Sequence, residues 1–120
     1  MTCPTGGFPP ARRLLTPADF KAVFASSQRS SDSQFIILAR ANGLPCPRLG
    51  FAIARNRIPS AVARNRLKRI VREFFRMHQE NLGGVDLVVM AQAKADVKDP
   101  VKLRESLRKH WSKVVLCAQS

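Results

Sequence analysis

Residues 60–78 constrain this chain more than any other stretch. At about 100° per residue, Leu67, Ile70, Val71, Phe74 and Phe75 fall in one arc of a helix, with Met77 at its edge. Asn65, Lys68, Arg69, Arg72 and Arg76 fall in the opposite arc, with Arg66 at its far edge. A helix divided this way must lay its apolar arc on another layer, so the chain needs a second layer of structure to receive it.

The polar arc carries a second message. Like charges at i, i+4 cost a helix a few tenths of a kcal/mol per pair, roughly 0.2–0.5. Only Glu73 and Glu80 stand near enough in sequence to offset them. A surface tuned for solubility mixes signs, whereas a row of arginines suits phosphates, because each guanidinium fork can make two parallel hydrogen bonds to one. Asn65 adds an amide that both donates and accepts, as needed for a base edge or a 2′-hydroxyl. A membrane-surface helix fits less well, since the apolar arc is required for the core and holds no Trp anchor.

The remainder supplies the second layer. Thr16-Pro17-Ala18-Asp19 has the form of a helix start, and Phe20, Val23 and Phe24 follow at helical spacing. The polar run from Ala25 to Ser33 breaks that pattern. Gln34 to Ala41 reads as a strand, Asn42-Gly43 as a turn, and Arg48 to Ala54 as a second strand, so the two are expected to form a hairpin. Pro59 or Ser60 opens the long helix, and Gly83-Gly84 ends that region. Val85 to Ala91 is a third strand, apolar apart from Asp86. Asp99-Pro100 starts the last helix, with Val101, Leu107, Trp111, Val114 and Val115 along one stripe. The order α-β-β-α-β-α predicts an α+β fold, a compact two-layer sandwich of one sheet with helices. Residues 1–11, with three prolines and two glycines, read as a flexible leader, and 12–120 as one RNA-binding domain. Arg55-Asn56-Arg57 echoes Arg64-Asn65-Arg66, but the flanks differ and the echo reads as chance.

Charge points the same way. Lys and Arg number 21 against 8 Asp and Glu, a formal net charge of +13 over 120 residues. These cations must form a surface that attracts polyanions: nucleic acid, an anionic membrane or an acidic protein. No stretch approaches the roughly 20 apolar residues of a membrane span, and Met1 to Pro10 lacks the form of a signal peptide. Cys3, Cys46 and Cys117 form no CxxC pair, which argues against a zinc site or disulfide framework and fits a reducing cytosol; Cys117 reads as packing. His78 and His110 lie far apart and the acids show no paired spacing for metal-dependent nuclease work, so no protein-borne active site is expected. His110 reads as flanking the core edge. A helix-turn-helix needs two helices joined by a tight turn, which the flanking strands preclude. A ribosomal protein would share the charge.

The stretch Ala61-Val62-Ala63-Arg64-Asn65-Arg66-Leu67-Lys68-Arg69-Ile70-Val71-Arg72-Glu73-Phe74-Phe75-Arg76 closely resembles the signature of the protein component of bacterial ribonuclease P. Arg13-Leu14, Asp19-Phe20, Val23-Phe24, Arg48-Leu49-Gly50-Phe51 and Asp86-Leu87-Val88-Val89 resemble other pieces of that family in order, so the likeness spans about Arg13 to Trp111. Departures are Ala63, where many members carry a basic residue, Pro59, where many carry glycine, and Ser27 in place of a common glycine.

The resemblance implies a ribosomal-protein-like sandwich with a left-handed strand-helix-strand crossover, where general rules predict a right-handed one. It implies a cytoplasmic subunit of the endoribonuclease that matures the 5′ end of tRNA. The catalyst would be an RNA, bound one-to-one, with magnesium serving the RNA and no metal held by a recognisable protein motif. Arg64, Asn65, Arg66, Lys68, Arg69 and Arg72, and Arg76 on the same arc, would face the catalytic RNA. The precursor-tRNA leader would lie between the first helix and the sheet, near Phe20, Phe24 and Phe35, with Arg13, Lys21, Arg40 and Arg55 as cations. Each of the three phenylalanines reads equally well as an exposed stacking face or as core, and Phe24 reads as the most buried.

Overall fold

The computed structural model describes residues 17–25, 27–41, 47–78 and 84–119. Helix α1 (Pro17–Ala25) begins at the predicted proline. Strands β1 (Gln28–Ser31), β2 (Phe35–Ala41) and β3 (Arg48–Phe51) follow, then helix α2 (Ala61–His78), strand β4 (Val85–Ala91) and helix α3 (Pro100–Gln119). The expected α+β order holds, with β1 added ahead of the first predicted strand. Gln28–Ser31 contains no apolar side chain, so no alternation announces it. It is an edge strand, held by its backbone pairing to β2 (Ser30 opposite Ile37) and by one buried side chain, Ser30.

The expected hairpin between the second and third strands does not form. Sheet order is β1-β2-β4-β3: β4 lies between β2, antiparallel to it, and β3, parallel to it. The residues of the Asn42-Gly43 turn lie outside the described ones. The physical reason is burial. Val85–Ala91 is the most continuously apolar strand and is buried from Val85 to Val89, so it takes the central position with a neighbour on each edge. Parallel pairing of β3 and β4 then requires a long crossover, and α2 is that crossover.

Both faces of the sheet are covered. On one, Phe35, Ile37, Leu49, Leu87 and Val89 meet Leu67, Val71, Phe74 and Phe75 of α2 and Leu103, Leu107, Trp111 and Val114 of α3. Trp111 stands edge-on to Phe74 and Phe75, with ring centroids 5.1 and 6.1 Å away. On the other, the short α1 packs Val23 and half-buried Phe20 against Ile36, Leu38, Val88 and Met90. Helices α2 and α3 are capped at their starts, and Thr16, the cap expected for α1, lies outside the described residues. The Ala63 amide donates to Ser60 Oγ (3.2 Å), and the Val101 and Lys102 amides donate to Asp99 Oδ1.

A polar clasp joins α3 to the β1–β2 turn. Asp32 Oδ1 accepts the amides of Gln34 and Phe35, both at 2.9 Å, while its Oδ2 accepts the Ser106 hydroxyl. His110 is 2% exposed, deeper than the core-edge place its sequence suggests. Its Nδ1 meets Ser30 Oγ, and its Nε2 lies 3.3 Å from Asp32 Oδ1. Burial pushes the Asp32 carboxyl up, but the Phe35 amide, Ser106 hydroxyl, Gln34 amide and His110 outweigh it and bring its pKa down to about 2.

Candidate nucleic-acid interface

The first element of the interface is the outer surface of α2. Leu67, Val71, Phe74 and Phe75 are buried, while Asn65, Arg66, Arg69, Arg72 and Arg76 are exposed and Lys68 half-buried. The geometry of individual cations refines the row. Arg69 pairs with Glu73 at 3.8 Å, an exposed i, i+4 contact worth little. The Arg72 guanidinium lies over the Phe51 ring, 5.5 Å from its centroid, which ties the row to β3. Arg64 differs from the rest. Its Nη1 donates to the carbonyls of Ile58 and Pro59, each at 2.8 Å, so part of its fork braces the turn leading into the helix. No acid occupies the first turn of α2, so its positive end is uncompensated from within the helix.

The second element is on the opposite face of the sheet, beside α1. Phe24 is 51% exposed, against the expectation that it is the most buried of the three phenylalanines. α1 is short and reaches the sheet chiefly through Val23 and Phe20, which leaves Phe24 on its outer side. Phe35 corrects the expectation in the other direction. It is fully buried among the α2 and α3 side chains, because strand alternation sends Phe35 and Ile37 to that face and Ile36 and Leu38 to the α1 face. Phe35 therefore offers no surface to RNA. Lys21, Arg40 and Arg55 are exposed, and Arg13 lies outside the described residues.

Two arginines that sequence reasoning passed over, Arg29 and Arg57, line a cavity of about 190 Å³ on this face together with Ile36, Ala52, Ala54 and Met90. Arg57 Nη1 also donates to Gln92 Oε1 at 3.1 Å. The Arg55-Asn56-Arg57 echo was the available signal. Arg48, on the same face, is committed to Asp86 by a bidentate pair at 2.8 and 2.7 Å. Arg40 is the other cross-strand partner of Asp86, so two arginines flank one carboxylate and the local excess is positive.

Chemically, then, one surface is a row of guanidinium groups beside an amide, and the other a shallow apolar floor with an exposed aromatic ring and cations at its rim. The first suits structured phosphates, the second a single strand. Among the described residues no group of three or more His, Cys, Asp or Glu stands together as a metal site, and no helix is long and apolar enough to cross a membrane.

Comparison with known proteins agrees with this chemistry. The family described as "Ribonuclease P" matches residues 8–115. The "Ribonuclease P protein component" of Methylococcus capsulatus is 50% identical over 105 residues, covering 88% of this chain and 82% of that one. Its counterpart from Proteus mirabilis is 42% identical over 112 residues, covering 93% and 94%. Among solved structures, the Staphylococcus aureus RNase P protein superposes with a TM-score of 0.79 at 26% identity, covering 87% of this chain and 97% of that one. The RNase P protein from Thermotoga maritima superposes with a TM-score of 0.71 at 33% identity, covering 81% and 92%.

Proposed function

The chain belongs to the ribonuclease P protein family, and from that premise we propose that it is the protein subunit of a ribonucleoprotein that removes the 5′ leader from precursor tRNA, working in the cytoplasm beside a catalytic RNA. The observation that carries this reading is the outer face of α2, where Asn65, Arg66, Arg69, Arg72 and Arg76 are exposed above a fully packed inner face. The same helix thereby serves the core and an RNA partner without compromise to either.

Two surfaces of the protein receive two RNAs. The α2 row binds phosphates of the catalytic RNA, with Asn65 reading a base edge or a 2′-hydroxyl and Lys68 and Arg64 supporting from its flanks. The leader, a single strand, lies along the α1 face. There Phe24 and the exposed part of Phe20 offer stacking surface, worth about 1–3 kcal/mol per base. Lys21, Arg29, Arg40, Arg55 and Arg57 attract its phosphates. Mature tRNA lacks the leader, so this face adds affinity only for the precursor. Bond cleavage belongs to the RNA. Magnesium is held by that RNA and supplies the activated water and leaving-group stabilisation; the protein's part is to bind, to orient and to neutralise charge. One protein serves one catalytic RNA.

Reconstitution tests the reading. The protein is mixed with the catalytic RNA of its own organism at low magnesium, and 5′-leader cleavage is followed. Stimulation over RNA alone is expected, stronger for precursors with longer leaders. Cleavage that is the same with and without protein at every magnesium concentration overturns it.

A further inference from the structure

The α2 row does not reach the edge where α3 meets β1, and the proposed leader face touches that edge only through Arg29. A cavity of about 260 Å³ opens there. Its floor is aliphatic, from Ile37, Ala39 and Val114, and its walls carry Gln28, Arg29, Ser30 and Lys113. No acid lines it. Ser30 is fixed in the wall because its hydroxyl is engaged with His110. At 260 Å³ the cavity falls just below the roughly 300–1,000 Å³ of sites for drug-sized ligands, which suits one planar heterocycle. An apolar slot with an amide at its rim is what an unstacked base requires, since its faces need apolar cover and its edge needs a group that both donates and accepts.

A row of cations leads away from the cavity. Lys102, Lys109 and Lys113 are exposed and lie within about 40° of one another around α3, spread over about 16 Å of its length. Among the described residues the opposing charges are Glu105, outward on α3, Asp96, which pairs with Lys102 at 3.4 Å in an exposed contact, and Asp32, already committed to Ser106, His110 and two amides. The row faces away from α2: Trp111, which contacts Phe74 and Phe75, projects from the other side of α3. It is also across the sheet from α1, whose contacts are with Ile36, Leu38 and Val88.

We propose that the α3–β1 edge is a further RNA-binding surface, in which the cavity takes one unpaired nucleobase and Lys113, Lys109 and Lys102 hold the phosphates that run from it. This rests on the reading of the chain as an RNA-binding subunit. The nucleotide can come from the catalytic RNA or from the precursor tRNA, and the test separates these sources.

Two holoenzymes are assembled, one with 4-thiouridine in the catalytic RNA and one with it in the precursor tRNA. After irradiation, cross-linked peptides are identified by mass spectrometry. Cross-links to Ser30 or to Lys113–Val114 are expected in one arm, which names the source. In parallel, Lys109→Ala with Lys113→Ala is expected to lower the slope of log affinity against log salt by about 1.4 units, for two single-strand phosphate contacts at about 0.7 each. Lys109→Arg with Lys113→Arg should retain the slope, and both pairs should melt as the parent does, since these side chains are exposed. Cross-links confined to α1, α2 and the arginines of the leader face, with an unchanged slope, overturn the proposal and leave the parent reading standing. A lower slope without cross-links at either peptide overturns the base-binding half. Cross-links between two protein copies at this edge overturn it in favour of self-contact. Absence of salt-dependent binding altogether overturns the parent reading as well.

Discussion

Helices α1 and α2 lie on opposite faces of one sheet and solve opposite problems. α2 divides its surface cleanly: Leu67, Val71, Phe74 and Phe75 are buried, and Arg66, Arg69, Arg72 and Arg76 are in solvent. α1 does not. It buries Val23, half-buries Phe20 and leaves Phe24 largely outside. In α2 the groups that stabilise the fold and those offered to RNA are different residues on different sides. In α1 the same type of residue does both, and which phenylalanine does which is decided by how a nine-residue helix sits on the sheet. Mutations should therefore separate stability from binding in α2 and only partly in α1.

The largest test of that contrast is stability. Phe75→Ala, which empties a fully buried site, should cost about 3–5 kcal/mol in denaturant unfolding. Phe24→Ala should stay within about 0.5 kcal/mol. Comparable losses from the two would erase the distinction between the helices. Next comes the α2 row. Arg66→Ala, Arg69→Ala and Arg76→Ala together should flatten the salt dependence of catalytic-RNA binding by about 2.7 units, if each removes one duplex phosphate contact at about 0.9. The melting temperature should hardly change. Arg64 is left out of that set because its bonds to the Ile58 and Pro59 carbonyls would mix a local structural loss into the measurement.

Phe24→Ala should then lower precursor-tRNA affinity by about 1–3 kcal/mol, the worth of one stacked base, and leave mature tRNA untouched. Equal losses for both would remove Phe24 from the leader path. The smallest effect expected concerns neither helix directly. Asp32→Asn should cost about 1–2 kcal/mol, since it weakens the clasp on α3. The carboxyl titrates at about 2 in the folded chain, below its ordinary 3.8. Its stabilisation is full above pH 3.8, declines as pH falls through the interval from 3.8 to about 2, and is gone below it. Acid unfolding followed over that interval should be steeper for the parent than for Asp32→Asn.

The contrast also explains what could be read in the sequence. The division of α2 was legible because a 3.6-residue period over eighteen residues sorts side chains without reference to anything else. The cap at Asp99 was legible for the same reason, being local, and at the start of α2 the sequence offered Pro59 or Ser60, of which Ser60 is the cap. Sheet order was not. Asn42-Gly43 favours a hairpin locally, yet β4, from over forty residues later, has the stronger claim on both neighbours through its apolar run. β1 carried no pattern to read, since Gln-Arg-Ser-Ser pairs through its backbone. The fates of Phe24 and Phe35 turned on strand parity and helix placement, which no window of composition contains. Arg57 was visible as part of a repeated tripeptide, but its place on the cavity rim depends on the turn from Ala54 to Ile58.

The central position of β4 carries a consequence for the order in which the molecule can assemble. A chain synthesised only as far as residue 84 already contains the whole of α2 but gives β3 no hydrogen-bonded neighbour and β2 only the polar edge strand β1. At that stage the apolar arc of α2 has half a sheet to dock on, while its arginines are complete. Closing the sheet then needs pairings that span some fifty residues, from Ile37 to Val89, the kind of non-local contact that slows folding. A nascent chain of this kind therefore spends its slowest interval as an exposed apolar surface attached to an intact polycation, and its solubility in that interval depends on repulsion between copies and on how soon residues 85–91 arrive.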